Sequence, residues 1–142
     1  MMTKRLINYA NILGVLWFAW CAAGAFADEL KPYKYAKIFK GAEGEVITIV
    51  PLEPRSENQF LIKFHRVEGE WDDRILLHER SIYNDKEDYT LKGEKYVSVV
   101  ARRGSYNVYP KGSRKELSVH FAEQDSRNID VAAIVDEFKK QR

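Results

Sequence analysis

Between residues 45 and 122, apolar side chains recur at every second position in short runs closed by proline, glycine or Asn-Asp, the pattern of strands with one wet face. Residues 45–52 are a β-branched run, with Val46 and Thr48 on one face and Ile47 and Ile49 on the other, ended by Pro51 and Pro54. In residues 59–67, Phe60, Ile62 and Phe64 point one way and Leu61, Lys63 and His65 the other. Residues 74–82 predict a third strand, left through Asn84-Asp85. Residues 95–103 and 105–109 flank Gly104 as a tight hairpin. Residues 116–122 follow a turn over 109–112, with Pro second and Gly fourth, which suits type I. Residues 28–44 are a lead-in with one short edge strand over 35–39.

The period changes in the tail. Val131, Ile134, Val135 and Phe138 fall at i, i+3, i+4 and i+7, one stripe of a helix over 128–142. Asn128 suits the N-cap, Asp130 the first turn, and Lys139, Lys140 and Arg142 the C-terminal end of the macrodipole. The fold expected is mainly β (α+β): an antiparallel meander of about six strands, sandwich- or barrel-like, with one C-terminal helix packed on it and completing its core.

The first 27 residues follow a different rule. Lys4 and Arg5 precede an apolar run from Ile12 to Trp20, and Ala25 and Ala27 are small residues placed for signal peptidase. The apolar stretch is short for a spanning helix and is followed by Asp28-Glu29 rather than by Lys or Arg. The expectation is a cleaved signal peptide (1–27), a single exported domain (28–142) and a periplasmic location, with an uncleaved anchor in the inner membrane as the alternative. Acylation at Cys21 is disfavoured by Trp20, where a small residue is needed.

Cleavage changes the charge argument. The whole chain has 23 Lys and Arg against 21 Asp and Glu, and losing Lys4 and Arg5 makes the balance even. Global steering toward a polyanion is therefore not implied, and nucleic acid is an unsuitable partner for an exported chain. Cys21, the only cysteine, is lost as well, which excludes disulfides and thiolate sites from the mature domain.

Motifs for catalysis are incomplete. His78-Glu79 lacks the second histidine one helical turn later and sits in a strand pattern. Ser105 follows Gly104 but is not in a nucleophile elbow. In residues 85–88 carboxylates cluster, yet Thr90 stands where a calcium loop needs glycine, so this segment reads as a solvated turn. His65, His78 and His120 could form a three-histidine metal site only if strand pairing joined them, and His65 and His120 read as surface residues. Asp72 and Asp73, read as strand neighbours, would point to opposite faces and not act as an acid–base pair. No enzyme activity, cofactor or metal is expected from this reading.

What remains is local charge. Residues 102–115 hold Arg102, Arg103, Lys111, Arg114 and Lys115 without an acid, interleaved with Tyr106 and Tyr109, whereas residues 68–88 are acidic. Arg102, Arg103, Tyr109, Lys111 and Arg114 are the candidate partner-binding residues, since arginine and tyrosine are enriched at contact surfaces. Gly93-Glu94-Lys95-Tyr96 followed by Tyr109-Pro110-Lys111-Gly112 resembles the SGxxY and WxKG-type motifs of periplasmic lysozyme inhibitors, small β-barrel proteins, with Lys92 in place of the motif serine. The likeness spans about 20 residues and is not a family assignment. The function expected is an exported binding protein without catalytic activity that neutralises or caps another periplasmic or delivered protein, as a hydrolase inhibitor or toxin-immunity protein does. The alternatives are an envelope protein binding anionic glycan and a metal-dependent accessory enzyme using the histidines.

Overall fold

A computed structural model of the chain describes residues 30–141, and the expected signal segment with its expected cleavage point lies outside them. The elements are β1 (Lys31–Pro32), β2 (Lys37–Gly41), β3 (Val46–Glu53), a 3-10 turn (Arg55–Glu57), β4 (Gln59–His65), β5 (Arg74–Tyr83), β6 (Lys86–Leu91), β7 (Val97–Arg102), β8 (Ser105–Val108), β9 (Leu117–Phe121), α1 (Glu123–Arg127) and α2 (Val131–Lys140). From β2 to β9 each strand pairs antiparallel with the next, and β9 returns to β2, so the meander closes into an eight-stranded barrel. β1 is a short extension beside β3, and the pairing register slips by two residues between it and β2.

The meander and the C-terminal helix are present, but the strand count exceeds the expected six. β6 accounts for one difference: Lys86-Glu87-Asp88, read as a solvated turn, is the start of a strand whose inward residues are Glu87 and Tyr89. Asn84, at positive φ, helps turn the chain in so little length that the charges fall inside the ladder. β2 is not an edge strand, because closure gives it partners on both sides. The connection after β8 bonds Ser113 N–H to the Pro110 carbonyl, with Gly112 at positive φ, so its turn is type II and begins one residue later than the sequence suggests.

Closure produces two apolar cores. The inward stripe includes Phe39, Ile47, Ile49, Phe60, Ile62, Phe64, Val99 and Val108, all buried in the barrel interior. The opposite face of β3, β4 and β5 buries Val50, Leu52, Leu61 and Ile75, which need an outer cover. That cover is α2, with Val135 and Phe138 buried. Lys63 reaches from β4 to Glu137 at 2.8 Å. Gln141 binds the β5 backbone, accepting from Ile75 N–H at 2.9 Å. β6 pairs with β5 only from His78 onward, so Gln141 meets a backbone group the ladder leaves open.

The tail differs in detail from the expected single helix. Asn128 ends α1, and the N-cap of α2 is Asp130, whose carboxylate accepts from Ala133 N–H at 3.1 Å. Two caps in three residues break the segment into two helices. Every barrel strand and both cores lie within the compact unit 31–142. Among the described residues no helix is long and apolar enough to cross a membrane.

Candidate functional site

Antiparallel alternation sends the β1–β2 link, the 3-10 turn, the β5–β6 turn, the β7–β8 turn and the end of β9 to one end of the barrel, and the β2–β3, β4–β5, β6–β7 and β8–β9 connections to the other. The far end is shut. Residues 66–73 tuck Val67 and Trp71 under the strands, with the indole 5.0 Å from the Phe64 ring and 5.5 Å from Tyr96.

The opposite end is open on a cavity of about 260 Å³, lined from the floor by Phe39, Ile49, Phe60 and Tyr89 and around its mouth by Tyr33, Tyr35, Lys37, Arg55, Glu87 and Tyr106. Arg80 forms its charged wall. Asn58, in left-handed conformation after the 3-10 turn, holds this arginine twice: its carbonyl accepts Arg80 N–H at 2.8 Å and its side chain accepts Nη2 at 3.0 Å. The guanidinium lies 4.8 Å over the Phe60 ring and 4.0 Å from Glu87. Its Nε is buried without a hydrogen-bond partner. The side chain as a whole is 21% exposed, so the guanidinium keeps an accessible part of its positive charge at the cavity wall.

Tyr89 and Tyr106 add donors beside that charge. Burial raises both phenol pKa values, so both hydroxyls stay protonated and able to donate. Tyr89 already donates to Glu87 at 3.1 Å. The cavity thus combines three cations, Lys37, Arg55 and Arg80, with one carboxylate and six aromatic rings. That composition suits an organic anion with an apolar body.

Below the cavity floor, His78 and Ser98 form a polar pair, both fully buried. Nδ1 of His78 donates to the Leu76 carbonyl at 3.0 Å, so Nε2 accepts from the Ser98 hydroxyl at 2.6 Å. A serine hydroxyl on an imidazole is the contact of a nucleophile with its base. Here burial lowers the imidazole pKa to about 4, far from the value useful to a base at neutral pH, and neither side chain reaches the surface. The pair is a satisfied core tie.

The five residues singled out in the basic hairpin do not form one cluster. Arg102 and Arg103 are at the open end, where Arg103 bonds Asp85 at 2.8 Å. Tyr109, Lys111 and Arg114 follow β8 toward the closed end; Lys111 pairs with Glu94 at 2.7 Å and Tyr109 donates to Glu116 at 2.9 Å. β8 separates the two groups by its length. The histidines are dispersed too, with His78 interior and His65 and His120 exposed.

Asp72 and Asp73 are not on a strand. They lie in the turn before β5, Asp73 at positive φ, and both carboxylates converge with His65 within 4.8 Å. Asp73 bonds His65, and Asp72 accepts Arg66 N–H at 2.7 Å, so the group braces its own turn.

The cavity residues were not legible as a site. Leu76, His78 and Arg80 share one face of β5, but Ile75 and Leu77 make the other face equally apolar, so alternation does not say which is inward. A charged residue three strands from Lys37 carries no spacing signal. Comparison with known protein families, curated proteins and solved structures gave no match.

Proposed function

We propose that this chain is a non-catalytic binding protein of the cell envelope whose ligand is a small organic anion seated in the open end of the barrel. The observation that carries this reading is the Arg80 guanidinium, held by Asn58 over the Phe60 ring in the wall of an aromatic cavity whose other end is plugged. Eight-stranded barrels are the size at which the interior is either filled by side chains or holds one small ligand, and this one is filled over its closed half alone.

Nuclear magnetic resonance titration with aromatic carboxylates and with inorganic phosphate tests it. The expected shifts cluster at Phe39, Phe60, Arg80, Tyr89 and Tyr106. Arg80→Gln should weaken binding by about 1.5–3 kcal/mol, the worth of a hydrogen bond to a charged group. An unchanged affinity in that variant sinks the assignment.

A second reading keeps the protein partner, of hydrolase-inhibitor or toxin-immunity type. It is favoured by Arg102 and Arg103, which line a smaller depression that shares Glu87 and Tyr106 with the cavity. Arg103 is 82% exposed in its side chain, free to meet an acidic segment as well as Asp85. Arg103→Glu should then abolish co-purification of the partner while small-anion titration is preserved. Export itself is tested by intact mass, with Asp28 the expected mature N-terminus; a mass retaining residues 1–27 favours the anchored form instead.

A further inference from the structure

Among the described residues, four of the five exposed large apolar side chains gather at one end of the barrel, the fifth being Val97 at the closed end. Tyr35, Ile82, Tyr83 and Phe121 are 49–61% exposed; Tyr35 is in the link leading into β2, and the others end their strands at the open end of the barrel. Tyr35 leads into β2, the stave beside β9, which ends at Phe121, while Ile82 and Tyr83 end β5, four strands away from β9 and thus across the mouth. Three of the rings carry a lysine: Lys34 lies 4.9 Å from Tyr35, Lys37 6.0 Å from Phe121 and Lys86 5.3 Å from Tyr83.

Charge follows the same axis. Turns and strand ends at the mouth (31–37, 53–58, 82–87, 102–104, 121–123) carry seven Lys or Arg against five Asp or Glu; those at the closed end (41–46, 65–74, 91–97, 108–117) carry seven against eight. The acidic and basic stretches of the sequence are therefore redistributed by the fold into a cationic end and a weakly anionic one.

We infer that the open rim of the barrel docks on an anionic phospholipid bilayer. A ring of aromatic and aliphatic tips with lysines beside them matches the membrane interface, where amphipathic rings sit at headgroup depth and ammonium groups meet phosphate. A planar surface can touch all sides of a rim at once, which a point ligand in the cavity cannot. This docking goes beyond the cavity ligand and does not depend on it.

Sedimentation of the domain, residues 28–142, with vesicles decides the matter. Wild type should bind phosphatidylethanolamine vesicles containing phosphatidylglycerol and should not bind pure phosphatidylcholine. Lys34→Glu with Arg103→Glu should reduce binding at least about tenfold. Ile82→Ser with Phe121→Ser should also reduce it, and because neither residue lines the cavity, small-anion binding should persist. Arg114→Glu with Lys115→Glu, at the closed end, should change nothing. Failure of the wild type to sediment with anionic vesicles overturns the inference, as does an equal loss in the closed-end variant. Binding to soluble dextran sulfate with no effect of Ile82→Ser and Phe121→Ser also overturns it, in favour of an anionic glycan. Should the serine pair lower the melting temperature, the charge reversals still decide, since they alter exposed side chains alone.

Discussion

Phe138→Ala is expected to lower the unfolding free energy by about 3–5 kcal/mol. Phe138 and Val135 are the two buried residues of α2, and they cover the outer face of β3, β4 and β5, where Val50, Leu52, Leu61 and Ile75 are nearly inaccessible. Truncation before Asn128 should cost more, because it also removes the Gln141 contact with Ile75 and the Lys63–Glu137 pair and exposes four strand residues at once. The sequence stripe implies four equal contributors; in the structure Val131 and Ile134 are half-buried, which places most of the loss on Phe138 and Val135. A urea titration reads the effect as a lower midpoint. A truncated domain that melts with the full one would mean that the outer core is stable without its helix.

Acidification should destabilise the fold through His78 alone by on the order of 3 kcal/mol between pH 6.5 and pH 4. Burial holds the folded imidazole at about 4, against 6.5 in the unfolded chain, so within this window the unfolded state binds the proton and the folded state does not. Stability is fully present above pH 6.5, is lost as pH falls toward 4, and loses nothing more to this residue below that. The Leu76 carbonyl on Nδ1 favours the charged form, but burial outweighs it: Nε2 is held by Ser98, and the ring packs near Phe64 and Trp71. Denaturant titrations at pH 7 and pH 4.5 on the wild type and His78→Gln check this. The variant should be less stable at pH 7 yet lose less on acidification. Equal losses in the two proteins would show that His78 is charged in the folded state.

Local chemistry was readable where one strand decides its own geometry. Phe60, Ile62 and Phe64 alternate against Lys63 and His65, and the structure keeps that division. Arg103 and Gly104 both take positive φ, as a two-residue hairpin loop requires. Misreadings came where a residue's environment depends on a neighbour strand. Lys86-Glu87-Asp88 looked solvated because charge usually is; in the barrel, Glu87 instead faces Arg80 and Tyr89 at the mouth. Strand alternation would point Asp72 and Asp73 apart, whereas they lie in a turn with Asp73 at positive φ and their carboxylates converge.

The sequence by itself determined the class of this protein: a two-residue period interrupted by turn residues, then a 3.6-residue stripe, because backbone geometry couples each side chain to its near neighbours. It also determined that the tail would cap an apolar surface. Only the tertiary structure decided that β9 closes on β2, since a pairing between residues some eighty positions apart leaves no local periodicity. Closure then set everything at the mouth. It turned β2 from an edge into a stave, made one face of β5 interior and thereby half-buried Arg80, and divided Arg103 from Lys111 by sending them to opposite ends. Side chains from distant strands meet because the barrel's curvature, not their spacing along the chain, brings them to one opening.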